Sequence, residues 1–183
     1  MTDNDARAIL ITGVYGSGKT SVVEEIADIL ERRDISYAAV DLDWLCWAGA
    51  GGEGSDVASP WKDHGQPMML RNLACVVTNY LDAGIERFVL AGALRNQAER
   101  NLIGTALAMP LRVVRLDVSL EEIERRLRSD VTSGRGEDLR EAGEWLATGA
   151  GVGVEDVTIS NERPIRQVAL DVIDDVGWPD ATH

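Results

Sequence analysis

Ala8-Ile9-Leu10-Ile11-Thr12-Gly13-Val14-Tyr15-Gly16-Ser17-Gly18-Lys19-Thr20 is the stretch that decides how the rest of this chain is read. Its first five residues form a short apolar run, and Gly13 to Thr20 satisfies G-x-x-x-x-G-K-S/T. Behind it Val22, Val23, Ile26, Ile29 and Leu30 recur at helical spacing, which places the motif between a strand at 8–12 and a helix at 17–32. That context gives the motif its chemistry. Glycines let successive backbone N–H groups turn inward around phosphate oxygens, and the helix N-terminus adds partial positive charge. Lys19 is spaced to reach β- and γ-phosphates and the Thr20 hydroxyl to ligand Mg²⁺. Gly13, Tyr15, Gly16, Ser17, Gly18, Lys19 and Thr20 are thus the candidate nucleotide-binding residues, Tyr15 as loop packing without chemistry of its own. No guanine-reading N-K-x-D tetrapeptide occurs, so ATP is the expected nucleotide.

Outward from this loop, apolar runs alternate with helical segments. Strands are predicted at 37–41, 88–91, 112–116 and 157–159, and helices at 66–83, 95–107, 119–129 and 164–176. Ser119 with Glu122 three residues later starts its helix as a capping box, and Pro164 opens the last one. Such alternation implies an α/β fold: one parallel sheet, helices on both faces, and a ligand at the carboxyl ends of the strands. Two stretches break the pattern. Residues 48–59 are rich in Gly, Ala and Ser, within an acceptor-side flap of about 44–66; residues 130–138 are polar, within a lid of about 128–140. Both are expected to be mobile covers over that edge.

The 183 residues carry 18 Lys+Arg against 31 Asp+Glu, a formal charge of -13, and 45% of them are hydrophobic. A chain of this length buries enough surface to fold as one domain. Its acidity opposes nucleic acid or an anionic membrane as the main partner, so an anionic ligand must be held by a local site. Two isolated cysteines, Cys46 and Cys75, make neither a disulfide framework nor a zinc site. No apolar run is long enough to span a membrane and the first residues are acidic, so the expectation is a cytoplasmic protein, its oligomeric state open.

Four stretches together resemble the small P-loop kinases, the nucleoside-monophosphate-kinase-like group that includes shikimate, gluconate and adenylyl-sulfate kinases. They are the Gly13–Thr20 loop, Val40-Asp41-Leu42-Asp43, Leu90-Ala91-Gly92-Ala93-Leu94-Arg95, and Leu116-Asp117-Val118-Ser119-Leu120-Glu121-Glu122 before an Arg-rich segment. The resemblance spans essentially the whole chain. It implies a three-layer P-loop NTPase fold, a five-stranded parallel sheet of order 2-3-1-4-5, a short lid after the fourth strand, and transfer of the γ-phosphoryl of ATP to a small molecule.

Many P-loop NTPases end the third strand with an Asp that holds the Mg²⁺ water shell, but here that strand ends Leu90-Ala91-Gly92. Asp41 and Asp43, two apart, share a face if the chain is extended there. By resemblance to shikimate-type kinases, Asp41 is the metal-side carboxylate and Asp43 the acceptor-side one and candidate base. Capping of the following turn is the bland alternative, and Asp117 competes for the metal shell.

By the same resemblance Arg126, seven residues after Ser119, stacks on adenine, and Pro164 covers its other face. Where a second arginine follows in the family this chain has Asp130, leaving Arg128 or Arg135 as the catalytic lid arginine. Such arginines stabilise charge on the transferred group, or else line a solvated helix face beside Glu121, Glu122 and Glu124. Trp44 stacks on a ring-bearing acceptor or anchors the flap, and Arg71 and Arg95 are candidate acceptor-binding cations. The expectation is an ATP- and Mg²⁺-dependent phosphotransferase acting on a hydroxyl of a small metabolite or hydroxylated antibiotic. The alternative is a nucleotide-binding switch or slow ATPase that acts through a protein partner.

Overall fold

The computed structural model describes residues 7–46, 65–128 and 135–178. Its elements run β1 (Ala8–Thr12), α1 (Lys19–Arg32), β2 (Ala38–Asp41), α2 (Gly65–Asp82), β3 (Phe88–Ala91), α3 (Gln97–Leu107), β4 (Leu111–Asp117), α4 (Leu120–Arg128), α5 (Arg135–Thr148), β5 (Val157–Ser160) and α6 (Ile165–Asp175). Every strand pairing is parallel and the order is β2-β3-β1-β4-β5. This is the order that the resemblance to the small P-loop kinases implied.

Side-chain alternation along the buried central strand sets the layers. Ile9 and Ile11 face Val22, Ile26 and Leu30 of α1 and Val168, Val172 and Ile173 of α6. Ala8 and Leu10 face Met69, Leu73 and Val77 of α2 and Ile103 and Leu107 of α3. Helices therefore cover both faces, and the chain leaves β1 directly into the glycine loop at the sheet's carboxyl edge. Among the described residues no helix is long and apolar enough to cross a membrane.

Most boundaries differ from the sequence expectation by one or two residues, α1 for instance beginning at Lys19 instead of 17 because Gly18 is its left-handed cap, and two more have local reasons. The third helix begins at Gln97 because Asn96 is extended and its side chain accepts the Glu99 N–H. Pro164 sits one position before the first helical residue of α6, with ψ at 128°.

The larger correction is α5. A polar loop was expected over 130–138, yet a helix has begun by Arg135. Ala142 is buried and Leu139 packs beside it against Val118, Ile123 and Leu127, so this helix closes a third small core with α4. Gly136, Gly143 and a dense set of charges mask its apolar spacing in the sequence. The lid residues 129–134 and the flap residues 47–64 lie outside the described residues.

Leu10→Ala, at a fully buried position of the central strand, is expected to cost about 2–5 kcal/mol of unfolding free energy, from lost transfer energy plus the cavity left behind. Urea denaturation of the variant against the parent measures it.

Candidate active site

The loop between β1 and α1 keeps its shape through backbone conformations that suit glycine. Gly16 and Gly18 have φ of +75° and +90°, and a Cβ on Gly18 would stand 2.7 Å from the Asn161 side-chain nitrogen. Gly18 caps α1 without any side-chain hydrogen bond, and no acid lies in the first turn of that helix. The first N–H groups of α1 consequently face the loop mouth without a side-chain acceptor, the arrangement an anion completes. The Lys19 ammonium donates to the carbonyls of Gly13 and Val14 at 3.2 and 3.1 Å, with the Tyr15 ring 5.7 Å away. Burial pulls its pKa below the ordinary value, while Asp43, Asp41 and Glu141 pull it back up.

Opposite Lys19, the acids that end β2 are joined to this loop. The Thr20 hydroxyl donates to one Asp41 oxygen at 3.1 Å, and the Asp43 N–H donates to the other at 3.0 Å. One carboxylate thus ties α1 to the turn that carries Asp43. Burial, then Asp41, push the Asp43 carboxyl above the usual carboxylate range; Lys19 opposes them and Glu141 adds to them. Asp117 is placed elsewhere: its carboxylate is exposed and lies 3.4 Å from Arg115. Thr20 and Asp41 are hard oxygen donors suited to Mg²⁺. No cluster of three or more His, Cys, Asp or Glu among the described residues forms a metal cage, and Mg²⁺ bound to nucleotide phosphates and water needs only one or two protein oxygens.

A cavity of about 510 Å³ opens here, lined by Tyr15, Gly18, Lys19, Thr20, Asp41, Asp43, Trp44 and Arg126 among others. Trp44 is 68% exposed in it. Cys46, nearby, is no nucleophile: burial, then Asp43 and Asp41, push its thiol up to about 11, so it stays protonated at neutral pH.

Arg126 is locked in place rather than solvated. It donates to Glu122 at 2.8 Å, to the Ser17 carbonyl at 3.2 Å and to the Asn161 carbonyl. Asn161, which sequence reasoning missed, is 3% exposed and its amide donates to the same Ser17 carbonyl at 2.7 Å. Its backbone N–H donates to the Asp117 carbonyl. A polar residue leaving a parallel strand on the ligand edge was the available signal. Pro164, three residues on, is exposed at the start of α6.

The remaining candidates divide. Arg95 turns toward α5, 3.7 Å from Glu141 and 5.5 Å from the Trp145 ring centre. Arg71 is exposed on α2, outside the residues that line the cavity. The side chains of Arg128 and Arg135 lie outside the described residues. Glu141 and Trp145 were also missed, because the start of their helix was read as lid and the stretch beyond 140 was assigned no element.

Solved structures match this architecture over nearly its whole length. An unliganded sugar kinase from a Janibacter species matches with a TM-score of 0.69 at 21% identity, covering 97% of this chain and 99% of that one. The fold is that of the small P-loop kinases. A Mycobacterium tuberculosis APS kinase in complex with AMPPNP and APS follows with a TM-score of 0.61 at 23% identity, covering 93% and 96%. A tunicamycin resistance protein from Deinococcus radiodurans shares the same fold with a TM-score of 0.62 at 17% identity, covering 97% and 99%. No family model matches the sequence, and no curated protein matches it either. On this small P-loop kinase fold the identities are low, so activity has to be argued from the residues themselves.

Asn161→Ala removes one of the two donors on the Ser17 carbonyl and leaves a void beside Gly18. It is expected to cost about 1–3 kcal/mol of stability and to weaken ATP-analogue binding, read by thermal denaturation with and without the analogue.

Proposed function

We propose that this chain is an ATP- and Mg²⁺-dependent phosphotransferase acting on a hydroxyl of a small molecule, either a metabolite or a hydroxylated antibiotic. The observation that carries the reading is the continuous run from the glycine loop through Thr20 and Asp41 to Asp43, which puts a raised-pKa carboxylate across the cavity from Lys19. A nucleotide switch has no use for that second acid; a kinase does. The fold neighbours, which include a sugar kinase, a gluconokinase and a shikimate kinase, point the same way. We read the chain as one domain and as cytoplasmic.

In this reading Gly13, Gly16, Ser17 and Gly18 give the cradle, and Lys19 leaves its carbonyl acceptors for the β- and γ-phosphate oxygens. Mg²⁺, when bound with the nucleotide, neutralises phosphate charge, and Thr20 and Asp41 are the residues that would hold it. Asp43 takes the proton as the acceptor O–H bond breaks. The acceptor oxygen then bonds the γ-phosphorus while the bond to the bridging oxygen breaks, and ADP departs with the electron pair. Arg126, held beside the loop by Ser17 and Asn161, would serve the adenine side, with Pro164 covering the other face. The lid arginines, Arg128 and Arg135, would then stabilise the equatorial oxygens. Trp44 and the basic Arg71 and Arg95 belong to the acceptor side of the same proposal.

Asp43→Asn is expected to lower kcat by about 10²–10⁴-fold with nucleotide affinity nearly unchanged. Because Asp43 acts ionised and its pKa is raised, the parent's activity falls as pH drops through a point above the ordinary Asp value of about 3.9, and the residual activity of Asp43→Asn lacks that limb. Asp41→Asn raises the Mg²⁺ concentration needed for half-maximal rate. Lys19→Ala loses most ATP affinity or turnover with its fold intact. ADP release over the no-acceptor background and calorimetry with AMPPNP measure these outcomes; indifference of Asp43→Asn in an active assay favours the switch instead.

A further inference from the structure

Val14 and Tyr15, the two side chains larger than serine between Gly13 and Lys19, are put to different uses. Val14 does the packing: it lies half-buried against Val118, Ile123, Leu127 and Ala142 of the third core. Gly16 is pressed onto α4 as well, where a Cβ would stand 3.0 Å from Ile123. The backbone of Tyr15 is therefore anchored on both sides, and its side chain is 44% exposed and lines the cavity that also holds Lys19 and Asp43. The centre of its ring lies 5.7 Å from the Lys19 ammonium, within cation–π range. Because Lys19 is the cation for β- and γ-phosphate oxygens, the ring stands at the γ end of the site.

That place matters because a base cannot tell one O–H from another. If Asp43 takes a proton from an alcohol, it takes one from water too. The water oxygen then bonds the γ-phosphorus, the bond to the bridging oxygen breaks, ADP leaves with the electron pair, and the proton stays on Asp43. A site that spends ATP on an acceptor needs a wall that water does not displace. Building on the phosphotransferase reading, we infer that Tyr15 keeps water from the γ-phosphoryl group: its ring covers the Lys19 ammonium and the γ end of the cavity. An alcohol brings carbon atoms that pack on the ring, whereas water gains nothing there. The ring does this work, and the phenol hydroxyl is dispensable.

Tyr15→Phe, Tyr15→Leu and Tyr15→Ala separate hydroxyl, ring and bulk. In the free protein, acylation of Lys19 by acetic anhydride is followed by mass spectrometry across pH, and its plateau rate is expected to rise from parent and Tyr15→Phe through Tyr15→Leu to Tyr15→Ala. With Mg²⁺ and ATP but no acceptor, ADP release by Tyr15→Ala is expected to exceed the parent's by about tenfold or more. AMPPNP affinity, read by calorimetry, changes by no more than about fivefold. A merely structural role lowers affinity and ADP release together and does not raise hydrolysis. Should Tyr15→Ala not fold, Tyr15→Leu reads the same quantities, with a smaller rise in both. Acceptor-free ADP release no faster than the parent's, Lys19 labelling unmoved by loss of the ring, or Tyr15→Phe behaving like Tyr15→Ala overturns the inference. If the parent phosphorylates an alcohol while the folded variants hydrolyse ATP no faster, the phosphotransferase reading stands and the inference fails. If labelling and hydrolysis both rise but the parent phosphorylates no alcohol in a hydroxylated library, the shielding ring stands and the phosphotransferase reading fails.

Discussion

A backbone that must turn its N–H groups toward an anion cannot also satisfy them internally, and this constraint organises the ligand edge of the protein. The loop at 13–18 requires positive φ at Gly16 and Gly18, so residues with side chains are disfavoured there. Its outward-facing carbonyls then need donors from somewhere else. Lys19 covers Gly13 and Val14, while Asn161 and Arg126 converge on Ser17. Those donors arrive from α1, from the exit of β5 and from α4, so three elements distant in sequence are fastened to one loop. The parallel sheet matters functionally because it delivers all three to its carboxyl edge.

The same economy of contacts explains Asp41. A carboxylate that accepts from both Thr20 and the Asp43 N–H fixes the turn after β2 relative to α1. Asp43 is thereby held where burial and Asp41 disfavour its charge. The sign of the stability cost is definite. Because the folded-state pKa is raised, ionised Asp43 weakens the fold above that pKa, and the penalty disappears as pH falls below the unfolded value. Stability is given up at the residue that a base role requires to be ionised and proton-hungry.

Legibility in the sequence followed from how local each signal was. The Gly13–Thr20 loop and the five strands were readable because a strong motif and apolar runs sit in contiguous residues, whereas the sheet order followed only from the resemblance to the small P-loop kinases. The Asp41/Asp43 pair was picked out by its spacing and by the resemblance to shikimate-type kinases; the chain turns after Asp41 instead of staying extended, and what folding adds is the contact of Asp41 with Thr20. Helix α5 was not read: two glycines interrupt a segment otherwise made of good helix formers, and its apolar face has meaning only against α4. Asn161 was missed for a related reason. Its amide has work to do only because a carbonyl 144 positions earlier turns toward it.

The acidity of the chain bears on the site as well. At a formal charge of -13 the surface repels anions, and most of its arginines face acids: Arg112 with Asp175, Arg115 with Glu155, Arg163 with Asp171 and Arg166 with Glu25. Lys19 is the sole lysine among the described residues, and its donors are turned to backbone carbonyls rather than to a carboxylate. Exchanging a neutral carbonyl for a phosphate oxygen costs less than breaking an ion pair. The Arg126 guanidinium is shared in the same way, partly with Glu122 and partly with loop carbonyls. In the phosphotransferase reading, anion binding would be concentrated where the cations hold weak partners and suppressed where they hold strong ones. Among the described residues that distribution favours the glycine loop as the place where a polyphosphate would sit.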